Sequence, residues 1–219
     1  QVMSDRFDQI PNRRAIIDRR RLASQLDEIE QGGDAAMRNA VVRALRPALD
    51  AGRAEIASRL EAHPQAGREI ASSYAFLTDQ ILRLAYDFTA TRLYPLNNPT
   101  SAERIVLVAV GGYGRGEMAP FSDVDIAFIT PWKQTGWSEQ VIESVLYTLW
   151  DLGMKVGHSI RSLDDMVRMA KSDLTIRTAL LEGRYVWGDQ PLYDEAAARF
   201  RAEVMKGNFL DRHVPTIRA

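Results

Sequence analysis

The stretch Arg104 to Pro131, R-I-V-L-V-A-V-G-G-Y-G-R-G-E-M-A-P-F-S-D-V-D-I-A-F-I-T-P, decides how the rest of this chain is read. Ile105 to Val110 is uniformly apolar and rich in β-branched residues, the pattern of a strand covered on both faces. It ends in Gly111 and Gly112. A second apolar run, Val124 to Thr130, carries Asp123 and Asp125 at its mouth. Alternation along a strand sends both carboxylates to one face.

Two carboxylates a few ångströms apart repel by roughly 3 to 4 kcal/mol at an effective dielectric of 20, so the pair favours a bound cation or a shared proton. Magnesium suits such a pair, because it takes one or two carboxylates and completes its octahedron with waters and phosphate oxygens. Phosphate in turn needs donors. The segment Gly111-Gly112-Tyr113-Gly114-Arg115-Gly116 supplies them, since residues without side chains let backbone N–H groups approach an anion and Arg115 adds a forked cation. One end of the motif is suited to phosphate and the other to metal.

Neither half is specific by itself, for a glycine-rich turn after a strand is usually only a turn and a surface D-x-D pair usually does nothing. The combination is specific. A strand, Gly-Gly, a short polar turn and D-x-D opening a second strand resemble the signature of the polymerase-β-like nucleotidyltransferase superfamily. The glycine spacing does not match G-x-G-x-x-G, and no G-K-[ST] follows for a Walker loop.

The longer motif G-G-Y-G-R-G-E-M-A-P-F-S-D-V-D-I is similar to the catalytic motif of the bifunctional uridylyltransferase/uridylyl-removing enzymes that modify the nitrogen-regulatory protein PII. Leu149 to Arg161, L-W-D-L-G-M-K-V-G-H-S-I-R, resembles that family's next block, and Asp173 to Arg184 resembles the block after it. The resemblance covers about residues 70 to 205. It implies an α+β chain: a polymerase-β-like nucleotidyltransferase fold, with a small mixed sheet flanked by helices, preceded by an amino-terminal helical region. The expected units are residues 1–94, helical, and 95–219, the nucleotidyltransferase domain.

The activity expected on this basis is metal-dependent transfer of UMP from UTP to a tyrosine of PII, with pyrophosphate released. In-line transfer needs an activated attacking oxygen, a polarised phosphorus and a held leaving group, which two metal ions about 4 Å apart supply. Asp123 and Asp125 are the expected ligands, with magnesium or manganese as the metal. Gly111 and Gly112 are expected to bind triphosphate through their amides, Arg115 to neutralise the departing charge, and Ser122 to orient the acids or touch phosphate. Superfamily members commonly carry a third carboxylate on a neighbouring strand. The candidate strand here, 154 to 161, has none, so the general base stays unassigned. The family's HD-type and ACT domains have no counterpart in these residues, so the chain reads as an amino-terminal fragment. Two other readings remain: an adenylyltransferase of the same fold, and a non-catalytic nucleotide-binding or docking module, which the missing third acid favours.

Composition sets the outer bounds. The 219 residues are 46% hydrophobic, enough for a real core in one large or two small domains. A formal charge of −1 provides no overall field toward nucleic acid or an anionic membrane. The absence of cysteine excludes a disulfide framework and a Cys-bound zinc. No apolar run reaches membrane-spanning length and no signal-peptide core is visible, so a cytoplasmic protein is expected.

Taken along the chain, residues 1–12 read as a loose leader and Arg13 to Glu30 as one helix. Its run Arg19-Arg20-Arg21 reads as a solvated face, since no aromatic residues interleave with it. A second helix from about Asp34, a plausible N-cap, to Leu60 should be kinked or divided at Pro47. Ile70, Tyr74, Leu77, Ile81, Leu84 and Phe88 form a stripe at alternating steps of four and three, the buried face of a third helix. Tyr94 to Ser101 breaks it. Beyond the two motif strands, a helix opens near Ser138 and Glu139, and residues 154–161 alternate as a strand. His158 on that strand is either buried and hydrogen-bonded or near the nucleotide. Ser162 to Asp165 resembles a capping box, with Asp164 and Asp165 as capping charges. Residues 174–182 are expected to be helical, 185–187 a short strand, and Leu192, Ala196, Phe200 and Val204 the buried stripe of a last helix. Gly207 onward is unplaced.

Overall fold

The computed structural model describes residues 6–205. The leader expected at residues 1–5 and the end of the second expected unit, 206–219, lie outside the described residues. Residues 6–12 are not a loose leader. Phe7 and Ile10 are buried, and the Phe7 ring meets Phe76 edge-on at 5.7 Å. Two apolar side chains in an otherwise polar stretch are enough to seat it.

The helix expected from Arg13 to Glu30 is two: α1, Arg13–Ile16, and α2, Arg19–Asp27. Ile17 between them is extended, and Asp18 caps α2 by accepting from the Arg21 N–H. The competing force is side-chain capping, which the apolar spacing of three to five residues does not reveal. At Pro47 the expected division does not occur. Helix α3, Asp34–Ala62, passes through it unbroken, with Gly33 rather than Asp34 at the N-cap. Pro47 is exposed, so the carbonyl it strands faces water, while buried Val41 and Leu45 before it and Leu49 and Ile56 after it anchor both halves to the same core.

Helix α4, Gly67–Phe88, buries all six residues of its expected stripe and continues as a π-turn over Thr89–Leu93. Strand β1, Val106–Ala109, leads into a single helical turn, α5, Gly111–Gly114. Then follow β2, Val124–Thr130; α6, Gly136–Asp151, opened by a capping box between Thr135 and Ser138; and β3, Val156–Ser162. The chain continues through α7, Leu163–Ser172; α8, Leu174–Leu181; β4, Arg184–Gly188; and α9, Gln190–Arg199, which Asp189 caps and a π-turn over Phe200–Met205 extends.

The sheet has the order β3-β2-β1-β4. β2 and β3 run parallel, joined by the crossover α6, and the other pairs are antiparallel. This is an α+β fold with a small mixed sheet and an amino-terminal helical region. Period-two alternation divides the sheet residues between two cores. Leu107, Ala109, Ile126 and Phe128 join a cluster that includes Leu45, Leu77, Ile81 and Leu149 from α3, α4 and α6. Val106, Val108, Ala127 and Ile129 face Met166, Val167, Leu192 and Ala196 from α7 and α9. No helix among the described residues is long and apolar enough to cross a membrane.

Candidate nucleotide-transfer site

The site lies where β1 ends and β2 begins, on the sheet face that carries Val108 and Ala127. Asp125 pairs with Gly157 of β3, and its carbonyl accepts from the Val110 N–H at 3.0 Å. Its side chain is held in a slot between two glycines. A Cβ on Gly157 would stand 2.6 Å from Asp125 Oδ1, and one on Gly111 would stand 3.3 Å from Oδ2. Gly111 also has φ +61°, a conformation that L side chains rarely adopt. A larger residue at Gly157 would displace the carboxylate, and one at Gly111 would be strained by its backbone conformation.

Asp123 is exposed and Asp125 half-buried. Burial first, and the charge of Asp123 second, raise the Asp125 carboxyl pKa above its ordinary value. Among the described residues neither carboxylate accepts a hydrogen bond or pairs with a cation. Such a pair fits a hard divalent ion that takes two carboxylates and leaves its other positions to water and phosphate. No cluster of three His, Asp or Glu suited to a metal occurs among the described residues.

The glycine segment is more ordered than a loop. Its turn begins with the Gly114 N–H donating to Val110 O at 3.0 Å and the Arg115 N–H to Gly111 O at 3.1 Å. The amides of Gly111 and Gly112 therefore precede the first bond of the ladder. Behind them a buried charged cluster pins the turn. Tyr113 donates its hydroxyl to Asp79 Oδ1 at 2.5 Å, and Arg184 grips the same carboxylate through Nη1 at 2.6 Å and Nη2 at 3.1 Å. Arg184 also donates to the carbonyls of Tyr113 at 3.2 Å and Gly114 at 3.3 Å. Burial, with Asp79 next in effect, pushes the Tyr113 hydroxyl well above its ordinary pKa and keeps it a donor.

The remaining expected residues are distributed unevenly. Arg115 is at the turn, but its guanidinium is engaged by Glu117 at 3.0 Å and Glu182 at 2.8 Å. Ser122 donates to Ala119 O at 3.0 Å and lines a small pocket with Arg53, Met118, Phe121 and Lys155. Phe121 has φ 60° and is 69% exposed, with the Arg53 guanidinium 4.7 Å above its ring. A positive φ at a bulky residue, two positions before Asp123, is local strain at the mouth of the site. Asp164 and Asp165 stand apart from it, paired with Arg199 and Arg168, and Ser162 caps α7 as expected.

His158 fulfils neither expectation. It pairs with Ile126, which puts it on the face opposite Asp125, and it is exposed beside Trp150, with ring centroids 6.0 Å apart. As the outermost strand, β3 leaves that side open, so apolar neighbours in sequence do not bury it. Sequence reasoning missed Gly157, Asp79 and Arg184. The V-G-H-S block contained the first, and an acid inside an apolar helical stripe was the available signal for the second.

Comparison with known proteins agrees with this geometry. The nucleotidyltransferase domain family matches residues 98–186, from the approach to β1 into β4. A bifunctional uridylyltransferase/uridylyl-removing enzyme of Novosphingobium aromaticivorans is 62% identical over 199 residues, 90% of this chain and 22% of the relative. Proteins of the same name from Erythrobacter litoralis and Azospirillum brasilense are 57% and 48% identical, each again over 90% of this chain. Over nine-tenths of its length this chain is similar to bifunctional uridylyltransferase/uridylyl-removing enzymes, and residues 98–186 form a nucleotidyltransferase domain. The chain spans about a fifth of the length of the curated relatives it matches.

Proposed function

We propose that this chain carries the uridylyl-transfer centre of these enzymes: transfer of UMP from UTP to a tyrosine hydroxyl of PII, dependent on magnesium or manganese. The observation that carries the reading is the unpartnered pair Asp123 and Asp125 beside the open amides of Gly111 and Gly112. Together they offer negative charge for a cation and N–H donors for phosphate oxygens. The tyrosine hydroxyl gives up its proton to solvent as its oxygen bonds to the α-phosphorus, the bond to the bridging oxygen breaks, and pyrophosphate departs with that electron pair. A divalent ion, when bound, would be held by Asp123 and Asp125 and would supply positive charge at the phosphates.

The chain itself contributes position. Gly157 and Gly111 hold the Asp125 carboxylate in one place, and the Asp79 and Arg184 pair keeps the glycine turn from yielding as triphosphate charge arrives. Arg115 reaches departing pyrophosphate only by exchanging its bonds to Glu117 and Glu182, so its role is in binding and release. Ser122 acts on the conformation of the turn before Asp123 rather than as a ligand. The domain division at residues 94 and 95 is part of the same reading.

The test is incubation with PII, magnesium and each labelled nucleoside triphosphate in turn, with the acceptor read by mass spectrometry. A uridylyl mass shift that disappears in Asp125→Asn is the expected result. An adenylyl shift would instead make this an adenylyltransferase. Absence of any shift despite measurable UTP binding would make it a binding module.

A further inference from the structure

A second cleft, of about 710 Å³, opens between the amino-terminal segment and α4, formed by none of the residues assigned to transfer. Its lining includes Arg13, Arg14, Arg19 and Arg20 from α1 and α2, and Gln80 and Arg83 from α4. Two acids also line it, and each has a partner: Asp8 lies 3.6 Å from Arg13 of the lining itself, and Asp18 caps the start of α2. Arg14, Arg19 and Arg20 have no carboxylate within ion-pair distance among the described residues. Arg83 is fixed, with its Nε donating to Val186 O at 3.1 Å and its guanidinium 4.8 Å above Trp187. Burial works against its charge, Asp79 offsets that, and Arg19 adds to the penalty, so the two guanidiniums sense one another across the cleft.

Gln80 adds a neutral polar group to the lining. The residue is 5% exposed, and its amide makes no hydrogen bond among the described residues, so it is free to pair with a ligand in the cleft. A ligand that neutralises the guanidiniums relieves their mutual repulsion. The volume falls within the roughly 300 to 1,000 Å³ of small-molecule sites. Guanidinium forks match phosphate oxygens. Phe76, the aromatic residue of the lining, already carries Arg13 at 5.8 Å and Phe7 on its edge, so the cleft presents charge rather than a stacking platform.

We propose that this cleft binds a small anion with consecutive phosphates, contacted by Arg14, Arg19, Arg83 and the Gln80 amide. Both a nucleoside polyphosphate and an inorganic polyphosphate carry that chemistry. The site is physically connected to the transfer centre, because Asp79, next to Gln80 on α4, holds Tyr113 and Arg184.

The experiment is calorimetric titration of the chain with tripolyphosphate, and separately with ATP, at low salt and without divalent metal. Arg14→Gln/Arg19→Gln removes two cations that have no carboxylate partner, and should weaken binding about tenfold or more with unchanged Tm. Gln80→Leu should weaken it about threefold without lowering Tm, which separates loss of a ligand contact from loss of structure. Arg21→Gln/Arg43→Gln, on the neighbouring groove, should bind as the parent does. Equal affinity for the two probes would identify the phosphate chain as the determinant, and tighter ATP binding a nucleoside polyphosphate. Unchanged affinity in both cleft variants, or equal loss in the control, would overturn the proposal. So would failure of both probes with binding of a poly-glutamate peptide, which would make the cleft a docking face for an acidic protein.

Discussion

Two sets of charges within one fold behave in opposite ways. Asp79 and Arg184 are almost wholly withdrawn from water, and the carboxylate accepts from both Arg184 and Tyr113. Asp123 and Asp125 lie at the surface with no protein partner among the described residues, one of them squeezed between two glycines. The first arrangement stabilises a turn. The second costs stability and leaves an unmet demand for positive charge. Natural sequences tolerate the second kind where chemistry requires it, and the first kind here stands directly behind it.

The largest expected effect comes from breaking the satisfied pair. Arg184→Met leaves the Asp79 carboxylate buried without its counter-charge and should cost about 3 to 5 kcal/mol, read as a drop in Tm or in the denaturant midpoint. A loss below about 1 kcal/mol would mean that the cluster relaxes or hydrates, and the clamp would lose its role. Breaking the unsatisfied pair should do the reverse. Asp125→Asn should lower UMP transfer to PII by about a hundredfold or more while leaving the fold intact. Wild-type turnover in that variant would remove the acids from the reaction.

Gly157→Ala sharpens the contrast further. Its methyl would meet Asp125 Oδ1 at 2.6 Å, so the carboxylate must move while the strand pairing survives. A fall of about tenfold in transfer with little change in Tm is expected. Equal damage to both would make the glycine a packing residue only.

The smallest effect is electrostatic. The Asp125 carboxyl has a folded pKa above its unfolded value, so the folded chain holds more protons in the interval between them. Without metal, stability should therefore fall as pH rises through that interval and stay lower above it. Asp125→Asn should flatten this dependence, and magnesium should offset it. Denaturant titrations at several pH values distinguish the outcomes, and an unchanged slope in the variant would show that another group is responsible.

Much of this was legible beforehand, for definable reasons. The stripe from Ile70 to Phe88 and the two motif strands carry periods of 3.6 and 2 over enough residues to identify their buried faces. The D-x-D pair could be placed on one face because alternation is local geometry. What failed depended on partners. The break at Ile17 came from a cap, and the continuity through Pro47 came from packing on either side of an exposed ring. His158 was exposed because its strand is the outermost of the sheet.

The sequence alone determined the family resemblance, the α+β class, the two acids and the glycine turn, because each is written in short spacings that bond geometry converts directly into position. Only the tertiary structure decided that Gly157 flanks Asp125, that Asp79 and Arg184 meet behind Tyr113 across 105 positions of chain, and that Arg19, Gln80 and Arg83 line one cleft. Those relations arise from strand order and helix packing. They depend on which surfaces bury each other, and no local pattern of residues encodes that.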